Sequence, residues 1–137
     1  MASRGGLKGQ RVVDVGSGTG AVAIASAIMG AKSAVATDQA QILHLARENI
    51  DSFVSSIAGQ AERDTRKQQL QIAELDWGDM EQSRAAGAPF DLVLVSECVL
   101  PKLYPLEPLV TAIDQLCGHP GQGQGADPSV SLSAPVH

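Results

Sequence analysis

Apolar positions along this chain repeat in two rhythms, one of strands and one of helices, and the two alternate. A β-branched run over 11–15 is followed by Gly16-Ser17-Gly18-Thr19-Gly20 and then by a small-residue segment from Gly20 to about Met29, closed by Gly30. The first piece reads as a strand, the second as a helix. Residues 33–37 form a second short strand ending at Asp38. Over 41–57, Ile42, Leu43, Ala46, Ile50, Phe53, Val54 and Ile57 fall at helical spacing and predict a core-facing stripe. The polar stretch 59–68, where Arg63, Arg66 and Lys67 interleave with Glu62 and Asp64, reads as a solvated loop. Leu70, Ile72 and Leu75 mark a third strand. After Gly87 and Pro89, residues 90–95 (Phe-Asp-Leu-Val-Leu-Val) are apolar enough for a strand buried on both faces. Leu106, Leu109, Val110, Ile113 and Leu116 predict a last helix, opened by Pro105 or Pro108 and stopped by Gly118.

Strands alternating with helices imply an α/β fold, a doubly wound, mostly parallel sheet with right-handed crossovers and about four strands. Ligands in such sheets bind outside the carboxyl ends of the strands. Those ends carry Gly16–Gly20, Asp38, Asp76-Trp77 and Ser96-Glu97. Residues 1–10 read as a flexible N-terminus and 11–117 as the domain. The Gly- and Pro-rich stretch 118–137 reads as a disordered tail.

Composition narrows the partners. A net charge of −5 over 137 residues argues against a nucleic-acid backbone, which needs a basic face. Aromatics make up 3 %, so the core must be aliphatic. Cys98 and Cys117 have neither CxxC spacing nor a neighbouring His, which fits reduced thiols rather than a disulfide or zinc site. The apolar stretch 21–31 is too short to span a bilayer, and the first ten residues lack the apolar core of a signal peptide. The expectation is a cytoplasmic protein, with the nucleus as the alternative compartment. His44, His119 and His137 are assigned no role.

Gly16-x-Gly18-x-x-Ala21 alone satisfies a loose dinucleotide fingerprint, and Asp38, 18 residues beyond Gly20, suits a ribose diol in several nucleotide-binding classes. Asp14, two residues before the first glycine, adds a carboxylate able to meet a ligand's ammonium group. Together with Phe90-Asp91 opening the fourth strand and Ser96-Glu97 closing it, these residues resemble the class I, seven-stranded S-adenosylmethionine-dependent methyltransferases. Their first motif is D/E-x-G-x-G-x-G and their fourth strand is of FDLVL type. Leu75-Asp76-Trp77-Gly78 and Ser96-Glu97-Cys98-Val99 resemble the LDWG and A-D-C-I-Y signatures of the methyltransferase-like 21 group of protein-lysine methyltransferases. The resemblance covers 11–117.

That resemblance implies a Rossmann-like fold, S-adenosylmethionine as cofactor and a protein lysine as methyl acceptor. Gly16, Ser17 and Gly18 then pass under the methionine and ribose, and Asp14 and Gly20 also belong to the cofactor-binding set. Asp38 holds the ribose diol, and Asp76 and Trp77 border the adenine. Ser96 contacts the cofactor near the methyl group, and Glu97, where the group carries Asp, is the catalytic carboxylate facing the lysine. No metal is implied. Simpler roles stand beside these: Asp14 as an organiser of the loop, Trp77 as core filler, Glu97 as a solvated carboxylate. Leu100-Pro101 replaces the group's aromatic, with Tyr104 four residues beyond Leu100, and four strands stand where the family has seven. The expectation is therefore an apparently truncated chain, with a cofactor- or partner-binding remnant as the first alternative and a small-molecule methyltransferase as the second. The acceptor protein, the degree of methylation and the oligomeric state are left open.

Overall fold

The computed structural model describes residues 6–96, 106–118 and 129–133. Its strands form one parallel sheet: β1 (Arg11–Val15), β2 (Ser33–Asp38), β3 (Leu70–Glu74), β4 (Leu92–Ser96) and β5 (Ser129–Ser133), in the order β3-β2-β1-β4-β5. The helices are α1 (Ala21–Ile28), α2 (Leu43–Ser55), α3 (Gln60–Gln69), α4 (Met80–Ala86) and α5 (Leu106–Cys117). The doubly wound α/β architecture follows from the alternation of elements. All four strands expected from the hydrophobic pattern are present.

Strand alternation sorts the side chains onto two faces. Val13 and Val15 of β1, Val35 of β2, and Val93 and Val95 of β4 point to one face, where Leu75, Phe90, Leu109 and Leu116 complete the core. Ala34 and Ala36 of β2 point to the other and meet Ala23 and Ala27 of α1 and Ala46, Ile50 and Val54 of α2. An alanine-lined contact lets α1 lie close to the sheet. The start of α1 also lies close to α2: a Cβ at Gly20 would sit 3.1 Å from the Cβ of Ala46.

The chain runs outward from β1 through β2 to β3, then returns to lay β4 on the other side of β1. Register locks β1 between its neighbours, with Asp14 opposite Ala36 on one side and Leu94 on the other. By the general rule for such sheets, this reversal marks a ligand crevice outside the carboxyl ends of β1 and β4.

Three segments differ from the sequence expectation. Residues 59–68 are not a loop: α3 occupies Gln60–Gln69 despite having no apolar stripe. It is anchored where Arg66 Nη1 donates to Ala27 O at 2.8 Å, and where buried Gln69 Nε2 donates to Ala27 O (3.0 Å) and Ala31 O (2.5 Å). These donors satisfy carbonyls in the last turn of α1 and just beyond its end. Residues 7–10, expected to be flexible, are tied down instead. Leu7 N donates to Met29 O at 3.0 Å, Lys32 N donates to Gln10 O at 2.8 Å, and Lys8 bridges Ala31. Finally, 129–133 was expected within a disordered tail, yet it forms β5 and pairs in parallel with β4 from Leu92↔Ser129 to Ser96↔Ser133. The alternation in Ser-Val-Ser-Leu-Ser suits a strand, and its pairing covers an apolar edge that would otherwise invite association.

Candidate functional site

The glycine turn after β1 is built by three left-handed residues, Gly16 (φ 69°), Gly18 (φ 53°) and Gly20 (φ 83°). It is clamped from the end of β2. Ser17 N donates to Thr37 O at 2.9 Å, Thr37 Oγ1 donates to Asp14 O at 2.8 Å, and Gly18 N donates to Asp38 Oδ2 at 2.9 Å. Asn49 of α2 adds a fourth hydrogen bond, with Nδ2 donating to Thr19 O at 2.9 Å. At Gly18 a Cβ would meet nothing within 4 Å, so the top of the turn is open. No side chain caps the α1 N-terminus behind it, which leaves the first helical N–H groups free for a ligand.

Beneath this turn lies Asp14, fully buried, with neither carboxylate oxygen hydrogen-bonded among the described residues. Its carbonyl is used by Thr37, but its side chain has no partner. Ser17 Oγ, also buried, is likewise unpartnered. Asp38 lies two residues beyond the register partner of Asp14, so alternation places both carboxylates on the same face of the sheet. Burial, reinforced by the negative charge of Asp38, raises the Asp14 carboxyl from 3.8 to about 7. An unpartnered buried carboxylate is costly, and a polar partner in the crevice relieves that cost.

Asp38 is already engaged in the free protein. It accepts Gly18 N at one oxygen and Gln39 N, at 2.8 Å, at the other. A carboxylate has about four acceptor positions, so capacity for a ligand hydroxyl remains.

The Asp76-Trp77-Gly78 segment lies at the same edge, one strand beyond β2. It is joined to the site where Leu75 N donates to Asp38 O at 2.9 Å. Gln82 Oε1 accepts Asp76 N at 2.5 Å, and Gln115 Nε2 donates to Gly78 O at 3.2 Å. Asp79 caps α4 by accepting Gln82 N at 3.0 Å. Asp76 is exposed, whereas Trp77 is half-buried and packs against the Val-Leu core of the α4–α5 face.

The structure thus brings Asp14, Gly16, Ser17, Gly18, Gly20 and Asp38 into one hydrogen-bonded unit, with Asp76 and Trp77 alongside. Ser96 ends β4 across the crevice. Glu97, Cys98, Val99, Leu100, Pro101, Tyr104, His119 and His137 lie outside the described residues. Thr37, Asn49, Gln82 and Gln115 were not anticipated. Only Thr37 carried a signal, as a polar residue inside an apolar strand. No group of His, Cys, Asp or Glu able to hold a metal occurs among the described residues. Cys117 is a free thiol whose pKa is raised by burial and by Asp114.

A family model described as lysine methyltransferase matches residues 2–122. The chain belongs to the lysine methyltransferase family. Protein N-lysine methyltransferase METTL21A of Danio rerio is 31% identical over 93 residues, covering 68% of this chain and 38% of that protein. This family member therefore spans well under half the length of the curated relative it matches. Among solved structures, the magnesium protoporphyrin IX methyltransferase of Synechocystis PCC 6803, with bound SAH, aligns with a TM-score of 0.55 at 22% identity. That alignment covers 82% of this chain and 43% of the other, and it supports the Rossmann-like methyltransferase fold. No helix among the described residues is long and apolar enough to cross a membrane.

Proposed function

We propose that this lysine methyltransferase family member binds S-adenosylmethionine over the Gly16–Gly20 turn and methylates a lysine side chain of a protein substrate. The observation that carries the proposal is the buried, unpartnered Asp14 carboxylate under a turn open at Gly18. A buried carboxyl group without a partner, beside free helix N–H groups, fits a zwitterionic amino-acid moiety. The ammonium meets Asp14, and the carboxylate meets the N–H groups. The remaining acceptor positions of Asp38 suit a ribose diol, and Trp77 offers an indole beside it for a planar base. The protein-lysine acceptor rests on the family match and the METTL21A relative.

When bound, the cofactor supplies an electrophilic methyl on a sulfonium, and the protein need form no covalent bond. The contribution of this chain is alignment, worth about 7–11 kcal/mol in well-oriented reactions. An acceptor lysine must first lose a proton, at a cost of about 4.6 kcal/mol at pH 7 for a reference pKa near 10.4. In this reading Glu97 orients the amine and accepts that proton, and Ser96, at the end of β4, borders the reacting group.

Incubation of the chain with methyl-labelled S-adenosylmethionine and a cell extract tests the reading. The expected result is label on protein, released as methyl-lysine after hydrolysis. Label only in small metabolites, or none above a protein-free control, contradicts it.

A further inference from the structure

A buried carboxylate without a partner must carry either a proton or a cation, and among the described residues the surroundings of Asp14 offer no cation. On β1 the other charged residue, Arg11, lies at the opposite end, where its guanidinium donates to Pro89 O and Gly87 O. The charged side chain of β2 is Asp38, and Glu74 of β3 pairs with it in register, so both neighbours on that side are acidic. Neither α1 (Ala21–Ile28) nor β4 (Leu92–Ser96) contains a charged residue. His44, Arg47, Glu48 and Asp51 of α2 are exposed, and the residues it buries, Leu43, Ala46, Ile50 and Val54, are all apolar. Arg66 of α3 is committed to the far end of α1, at Ala27 O. Asp38 strengthens the effect from a fixed position, since two backbone N–H donors hold its carboxylate.

We propose that this crevice exchanges a proton for a cation: in the free chain Asp14 is held as the carboxylic acid, and a nucleoside ligand bearing an ammonium group displaces that proton as it binds. The inference rests on the cofactor reading above and adds to it a pH dependence and a basis for selectivity. The balance is simple. The acid and the cationic ligand give a carboxylate–ammonium pair and one proton released to solvent, with no covalent bond of the ligand altered. Asp14 thereby favours ligands with an intact amino-acid moiety over the same nucleoside without one. It does so most weakly in acid, where the proton is hardest to displace. Burial and the Asp38 charge, which raise the carboxyl to about 7, put the transition near neutrality.

The test is calorimetric titration of the full chain with S-adenosylhomocysteine, in buffers of different ionisation enthalpy, near pH 6 and near pH 8. The expected result is release of most of one proton per ligand near pH 6 and little near pH 8. Affinity should weaken by up to about tenfold per pH unit below neutrality. 5′-Methylthioadenosine, which has no ammonium group, should bind with no proton release and little pH dependence. Asp14→Asn should abolish proton release for S-adenosylhomocysteine. S-adenosylhomocysteine binding with equal affinity and no proton release at both pH values overturns the inference while leaving the cofactor reading intact. Proton release of the same size from the Asp14→Asn variant, or with 5′-methylthioadenosine, also overturns it. Failure of both ligands to bind at either pH removes the cofactor reading and the inference together.

Discussion

Asp14 is a residue that function and stability pull in opposite directions. Its folded carboxyl lies at about 7 against an ordinary 3.8, so between those values the folded chain holds a proton that the unfolded chain has released. Stability therefore falls as pH rises from about 4 to about 7 and is flat beyond, an effect of up to about 4 kcal/mol. Urea denaturation should show Asp14→Asn to be more stable than wild type at pH 8, with the gap closing near pH 4. The same variant should bind S-adenosylhomocysteine more weakly. Two glycines of the turn separate differently. Gly18→Ala faces open space and bears only the left-handed backbone cost, about 1–2 kcal/mol, but it puts a methyl group where the ligand is proposed to lie. Gly20→Ala adds a 3.1 Å encounter with Ala46 to the same backbone cost and should lose roughly 2–4 kcal/mol by thermal or urea unfolding. The glycines and Asp14 were legible as a motif because their spacing is dictated by the turn. The unpartnered state of Asp14 was not legible, since it depends on what β2, β4, α1 and α2 place around it.

At the scale of elements, β1 to β4 and the helices α1, α2 and α5 could be read from the sequence pattern, and the misses have identifiable causes. Gln60–Gln69 has no apolar stripe, so its helix is visible only once Arg66 and Gln69 are seen to bond the end of α1. Gln69→Ala takes the side-chain donor from Ala31 O in a buried setting, while Ala27 O keeps Arg66 and Gly30 N, and should cost about 1–3 kcal/mol in a denaturation series. The short α4 carries readable ends, Asp79 as N-cap and Gly87 (φ 118°) after its last turn, but its seven residues lack the length to show a period. That helix and α5 pin the Asp76–Gly78 segment through Gln82 and Gln115. Gln115→Ala should loosen this segment. Because Trp77 is the only tryptophan, the loss can be read as a red shift of its emission, together with weaker S-adenosylhomocysteine binding. Unchanged emission and affinity would show that Gln115 does not position the segment.

For the whole molecule, the doubly wound topology follows from the order of elements, and the placement of β4 beside β1 creates the crevice that the motifs occupy. The strand at 129–133 is hidden in the sequence because Gly and Pro dominate the residues before it and its own alternation runs over only five residues. Pairing of β5 with β4 moves the sheet edge outward by one strand. The relation to METTL21A, which covers 38% of that protein, gives the chain its family, while the crevice at β1 and β4 gives the reading its chemistry. The most direct test of that reading is equilibrium binding of S-adenosylhomocysteine to the 137-residue chain at pH 8, in wild type and in Gly18→Val. The expected result is saturable one-to-one binding by wild type and at least a tenfold loss in the variant, with the variant still folded by circular dichroism. No binding by wild type, or equal affinity in both, contradicts it.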